Sequence, residues 1–153
     1  MKNYVILKFG GTSVSSLSNW QNIKSCVDTS IANGESPLLV CSAISQVSNK
    51  LEDLIESAKS GNFEDGLSAL KKIHTDLTAE LSITGPTFEK DFEDLSRLVK
   101  AIALIGEESP QLRARIMSKG ELMSTAIGSA FLSTCGLNSK WLDARKILQS
   151  KFY

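Results

Sequence analysis

The order of apolar runs and turns predicts an α/β fold, a three-layer α/β/α sandwich with a mostly parallel central sheet. Tyr4-Val5-Ile6-Leu7 is a short apolar run rich in β-branched and aromatic residues, the pattern of a strand buried on both faces. A glycine pair, Gly10-Gly11, and apolar residues at helical spacing follow it, and a second continuous apolar run opens after Pro37 at Leu38-Leu39-Val40-Cys41. Strand, helix and strand in that order make a βαβ unit, with parallel strands, a right-handed crossover and both carboxyl ends on one sheet edge. Open α/β sheets bind ligands at that edge, so Gly10, Gly11 and Ser42 are expected to be neighbours.

The first strand, Tyr4 to Phe9, leads into Lys8-Phe9-Gly10-Gly11-Thr12-Ser13. Adjacent glycines remove the Cβ atoms that keep a ligand off the backbone, and they allow the positive φ that turns successive N–H groups toward one point. With a helix N-terminus behind it, the hydroxyls of Thr12 and Ser13 beside it and the charge of Lys8, such a turn can hold an anion. It can equally be a tight βα turn and nothing more. The lysine precedes the glycines, so the pattern is neither a Walker A loop nor G-x-G-x-x-G.

Leu17, Trp20, Ile23, Val27 and Ile31 recur at intervals of three and four and describe one helix face, which Asn33-Gly34 ends with residues suited to a left-handed cap. After the second strand a helix is expected to begin near Ser45 to Ser48, burying Leu51, Leu54, Ile55 and Ala58, with Glu52 and Asp53 solvated. Two further helical stripes, Leu67 to Leu81 and Phe88 to Ile105, flank Gly85-Pro86 and predict a helical hairpin inserted between sheet elements. His74, the only histidine, lies beside the first stripe and reads as a surface or interfacial residue without a catalytic role. Ser109-Pro110 is a helix start, and the helical pattern beyond it breaks near Lys119-Gly120 and stops at Gly136. A third strand is expected at Ser139 to Leu142.

Composition excludes several classes of function. With 153 residues, 42% of them hydrophobic, the chain can bury a core of ordinary size as one domain. Seventeen basic residues balance seventeen acidic ones, so no field of either sign draws nucleic acid or an anionic membrane. The N-terminal apolar stretch is too short for a signal peptide and no later run is long enough to span a bilayer, from which a cytoplasmic protein is expected. Cys26, Cys41 and Cys135 are odd in number and far apart; they read as reduced, mostly buried residues, with neither a disulfide framework nor a metal site.

The hexapeptide at Lys8 to Ser13 resembles the opening signature of the aspartokinases, within the amino acid kinase family. Three later stretches carry the same resemblance in the same order: Leu38 to Ala43 with Val47-Ser48-Asn49, then Ser118-Lys119-Gly120-Glu121-Leu122-Met123-Ser124, then Trp141-Leu142-Asp143-Ala144-Arg145. Position 48 is serine where close relatives usually have threonine, which keeps the hydroxyl and loses a methyl contact.

The resemblance implies a reaction and a set of roles. The side-chain carboxylate of L-aspartate, ionised at neutral pH, would attack the γ-phosphorus of ATP with no general base, which moves the catalytic task to positioning and charge neutralisation. Lys8 would neutralise phosphate charge, Gly10 and Gly11 would donate backbone N–H groups, and Thr12 and Ser13 would support the loop. Ser42 and Ser48 would help hold the aspartate, and Glu121 would meet its ammonium group. Mg²⁺ would arrive with the nucleotide, held mainly by phosphates and water. A homo-oligomer is expected. Residues 1–153 correspond to the N-terminal portion of the kinase domain, without the segments that bind adenine and ribose and without regulatory domains, so the isolated chain is expected to be inactive. The alternatives are a non-catalytic binding or assembly module and another member of the amino acid kinase family.

Overall fold

The computed structural model describes residues 3–148. Strand β1 (Asn3–Phe9) leads through a 3-10 turn (Gly11–Val14) into helix α1 (Leu17–Ala32) and strand β2 (Glu35–Cys41). Five helices follow: α2 (Val47–Lys59), α3 (Glu64–Glu80), α4 (Glu89–Ile105), α5 (Pro110–Met117) and α6 (Lys119–Thr134), then a 3-10 turn at Ala144–Lys146. The strands are parallel and paired from Asn3↔Glu35 to Phe9↔Cys41, as the βαβ reading requires. The α/β class is borne out.

The layers differ from expectation in two respects. Among the described residues the sheet has only two strands, so β1 is not flanked on both sides. Its side chains alternate accordingly: Phe9, with Leu39 and Cys41 of β2, packs against the helical core, whereas Tyr4 and Ile6 are 69% and 68% exposed and Leu38 and Val40 44% and 48%. Burial on both faces needs a second helical layer, and the described helices cover one face. The expected strand at Ser139 to Leu142 is not formed either. That stretch is tied to α6, where Trp141 Nε1 donates to Thr125 Oγ1 at 2.9 Å and the hydroxyls of Ser139 and Ser129 lie 3.0 Å apart.

The helices follow their sequence patterns closely because their signals are local. Ser16 caps α1, accepting from the Asn19 N–H, and Gly34 leaves the helix at φ 76°. Ser109 caps α5 by accepting from the Leu112 N–H at 3.2 Å, with Pro110 in the first turn. Leu51, Leu54, Ile55 and Ala58 of α2 are all buried, as are Leu95, Val99 and Ile102 of α4. The break before α6 falls at Ser118, between Met117 and Lys119. Trp20 lies under α6 near Phe131, with its indole N–H bonded to Val14 O at 3.0 Å.

Three side chains sit otherwise than the sequence suggests. His74 is fully buried: its Nδ1 bonds Leu70 O at 2.7 Å and its ring packs on Phe88, a contact made only when α4 folds back. Burial holds its pKa below the ordinary value. Cys26 is exposed on the outer side of α1, while Cys41 and Cys135 are half-buried, and all three are free thiols. Glu52 is not merely solvated, since it pairs with Arg113, which also reaches Glu56 and Glu108.

Gly128 is the position where Trp20 decides the outcome of a substitution. A Cβ there would overlap the indole ring, which is buried and hydrogen-bonded. Alanine normally gains roughly 0.8–1 kcal/mol over glycine inside a helix. Here overpacking wins, and Gly128→Ala is expected to lower stability by about 1–3 kcal/mol. Urea unfolding checks this, and a raised midpoint would contradict the packing.

Candidate functional site at the carboxyl edge of the sheet

The glycine loop departs from expectation in its backbone. Gly10 has φ −81° and ψ 176°, and neither Gly10 nor Gly11 has positive φ. The chain enters one 3-10 turn, and α1 starts only at Leu17, so the amides at the loop belong to that turn and not to α1. Ser13 N–H donates to Gly10 O at 3.0 Å, which leaves Gly11 and Thr12, the first residues of the turn, without an acceptor inside it. Asn19 Nδ2 braces the loop by donating to Thr12 O at 2.6 Å.

What requires glycine at position 11 is closeness. A Cβ there would stand 2.9 Å from Ala43 O and 3.3 Å from Ser45 N, both backbone atoms. At Gly10 the same construction meets nothing within 4 Å, so the space above that residue is open.

The loop after β2 is gripped from the other side as well. A Cβ on Gly120 would lie 2.8 Å from the Ala43 Cβ and 3.3 Å from Val47 Cγ1. Ser124, one turn further along α6, donates its hydroxyl to Ser42 O at 2.9 Å, and Ser42 N–H in turn donates to Phe9 O at 3.0 Å. Ser15 completes the link, since its Oγ accepts from Ser45 N–H at 3.2 Å. Ala43 thus lies between Gly11 and Gly120, and segments 8–13, 42–48 and 118–124 meet at one edge.

The sequence-derived site residues fall around this contact. Lys8 is exposed at the end of β1, on the uncovered sheet face and paired in register with Val40. Val40 and Cys41 line a groove of about 890 Å³ along β2 that also contains Glu121 and Thr125, and residues 8–13 are not among its lining. Thr12 is exposed and Ser13 half-buried in the 3-10 turn. Ser42 is half-buried at the exit of β2, and Ser48, the second residue of α2, is exposed just beyond Val47. Glu121 stands in the first turn of α6, where a carboxylate is electrostatically favoured, but makes no side-chain cap.

Two neighbours are chemically settled by their surroundings. Burial pushes the Cys41 thiol up to about 11, so it stays protonated at neutral pH and is not a nucleophile. The Arg145 guanidinium, bonded at 2.9 and 2.8 Å, holds the Asp143 carboxyl down to about 2. That ion pair is local to the 3-10 turn after Trp141.

Sequence reasoning missed Ser15 and Asn19, and it named Ala43 and Lys119 only within longer stretches, without a role. Ser124 was visible as the last residue of Gly120-Glu121-Leu122-Met123-Ser124, but its bond to Ser42 O is a tertiary fact. The two small residues at 43 and 120 were the available signal for the close approach.

A glycine loop, a hydroxyl-bearing loop and a helix-borne carboxylate gathered at the carboxyl ends of parallel strands define an α/β domain with a candidate ligand site at the edge where such sheets bind ligands. Comparison with known proteins gives the particular family. The sequence pattern of the amino acid kinase family matches residues 3–151, and the chain belongs to that family. It is 32% identical over 147 residues to aspartokinase 1, chloroplastic, of Arabidopsis thaliana, covering 93% of this chain and 26% of that protein. Lysine-sensitive aspartokinase 3 of Escherichia coli is 29% identical over 153 residues, covering 98% of this chain and 33% of the relative. The crystal structure of E. coli aspartokinase III in complex with aspartate and ADP superposes with a TM-score of 0.79 at 28% identity, over 95% of this chain and 32% of that one. The chain therefore spans about a quarter to a third of the length of the relatives it matches.

The clasp yields a direct test. Gly120→Ala must displace either Ala43 or the first turn of α6, and a cost of about 1–3 kcal/mol is expected against the small helix-propensity gain. Unfolding at unchanged denaturant midpoint would show that α6 does not lie this close to the loop.

Proposed function

We propose that this chain forms the phosphate- and amino-acid-binding part of an aspartokinase, the N-terminal portion of its kinase domain. The reaction is ATP-dependent phosphorylation of the L-aspartate side chain: a carboxylate oxygen bonds to the γ-phosphorus, the bond to the bridging oxygen breaks, and ADP leaves. Its product, aspartyl phosphate, would enter lysine, threonine and methionine biosynthesis. The observation that carries this reading is the seating of Ala43 between Gly11 and Gly120, which brings the start of α6, where Glu121 stands, against the loop after β2 that the glycine loop also touches.

In this reading Lys8 places its charge against the phosphates, and Gly11 and Thr12 offer amides, with Gly10 keeping the approach open. Thr12 and Ser13 add hydroxyls. Ser42 and Ser48 hold the aspartate, and the Glu121 carboxylate faces its ammonium group. ATP fits these residues through its phosphate end. Mg²⁺, carried mainly by the phosphates, would supply charge neutralisation. No helix among the described residues is long and apolar enough to cross a membrane. Self-association through the uncovered sheet face is proposed for the isolated chain.

Titration of the labelled chain with inorganic phosphate and with L-aspartate, followed by NMR, tests the roles. Phosphate should shift Gly10 to Ser13, and Lys8→Ala should weaken that response; L-aspartate should shift Ser42, Ser48 and Glu121, and Glu121→Gln should weaken it. Responses to both ligands that are the same in the variants would reject the assignments. In a polypeptide that includes the rest of the domain, Lys8→Ala should lower turnover by roughly a hundredfold or more, as loss of one preorganised contact does. The 153-residue chain alone should give no aspartyl phosphate in a hydroxamate assay.

A further inference from the structure

One buried charge has no part in this proposed chemistry. The Lys119 side chain is 4% exposed, and its Nζ lies 2.8 Å from Asp91 Oδ1 and 2.7 Å from Asp94 Oδ2, both on α4. Arg115 of α5 reaches both oxygens of Asp94 at 3.0 Å, and Arg145 lies within electrostatic range of Asp91 and Asp94. The cluster therefore ties α4, α5 and the first residue of α6 together. Lys119 above all holds the Asp94 carboxyl below the usual carboxylate range.

Such a cluster is a poor device for stability. Desolvation offsets most of the attraction between buried charges, and apolar residues of similar volume often serve as well. What a lysine between two carboxylates fixes is direction, because its three donors must meet acceptors at defined places. Lys119 and Glu121 are two residues apart on a helix of 3.6 residues per turn, so their side chains leave the axis about 200° apart. Lys119 points into α4, and Glu121 points to the groove. Between them Gly120 rests on Ala43, and beyond them Ser124 is bonded to Ser42 O.

We propose that Lys119 is a positioning residue: its bonds to Asp91 and Asp94 fix the rotation of the first turn of α6, and so the place of the Glu121 carboxylate. Gly120 and Ser124 set how closely α6 approaches the loop after β2. Lys119 sets how the turn is rotated about its own axis. The inference rests on reading Glu121 as the partner of the substrate ammonium group, and its test separates the two ideas.

The test uses the full 153-residue chain, with L-aspartate as the probe. Lys119→Met removes the charge and keeps most of the stem; Lys119→Arg keeps the charge; Leu54→Ala, in the core on α2, serves as a destabilised control. Lys119→Met should weaken L-aspartate binding roughly tenfold, while Lys119→Arg restores it to within about threefold and Leu54→Ala leaves it unchanged, since a loss confined to overall stability does not alter the affinity of molecules that remain folded. Without ligand, amide exchange in Gly120 to Ser124 should quicken in Lys119→Met relative to β1 and α1, and return to the wild-type rate in Lys119→Arg. Unchanged exchange in Gly120 to Ser124, or quickening shared equally by β1 and α1, overturns the positioning role whatever the ligand does. If wild-type chain does not bind L-aspartate, the amino-acid site falls, and the exchange measurement alone decides whether Lys119 orients the turn.

Discussion

The arrangement depends on a steric constraint at Ala43. Its carbonyl and its methyl group are approached from two directions by residues without side chains, Gly11 from the loop after β1 and Gly120 from the start of α6. A Cβ at either place would stand under 3 Å from Ala43. Elements far apart in sequence are thereby allowed to touch through their backbones, and the hydrogen bonds Ser42 N–H to Phe9 O and Ser124 Oγ to Ser42 O then fix their register. Packing at this distance is unforgiving, because protein interiors are as dense as organic crystals and cannot give way locally at low cost. The edge is thus defined by absence of side chains at two positions and by hydroxyls around them.

The sequence disclosed those features that are decided within a few residues. The cap at Ser109-Pro110, the exit at Gly34, the buried face of α2 and the break before Lys119 are where the pattern places them, since each is set by local backbone chemistry. What was not legible depends on partners. The Tyr4 to Leu7 run has the composition of a strand covered on both faces, but coverage is supplied by other elements, and none of the described ones lies over Tyr4 and Ile6. The Ser139 to Leu142 stretch has strand-like residues, yet bonds to Ser129 and Thr125 draw it along α6. His74 looked peripheral because its burial against Phe88 arises from the residue that precedes the next helix.

The site shows the same division. Motif resemblance singled out Lys8, Gly10, Gly11, Ser42, Ser48 and Glu121 as candidates, and the folded chain brings their three segments to one edge. The backbone of the glycine pair differs from expectation: neither residue has a positive φ, and Gly11 is needed for proximity to Ala43. Nothing in the spacing reveals Lys119, because a lysine before a glycine looks like surface. Its burial becomes intelligible only when Asp91 and Asp94, 28 and 25 residues earlier, arrive from α4. Lys8 and Lys119 thus carry the same charge in opposite settings, Lys8 exposed at the end of a strand and Lys119 locked between carboxylates.

The uncovered sheet face also bears on the order in which the molecule assembles. The helical layer and the inner face of the strands share one continuous core, with Phe9, Leu39 and Cys41 already packed against it. β1 and β2 pair in parallel across a single crossover helix, with register partners 32 residues apart, so their register depends on α1 being in place. The result is a preformed template. Any strand that joins the free edge of β1 meets a twist and hydrogen-bond spacing already fixed, and the Tyr4 and Ile6 surface is the last to lose its water.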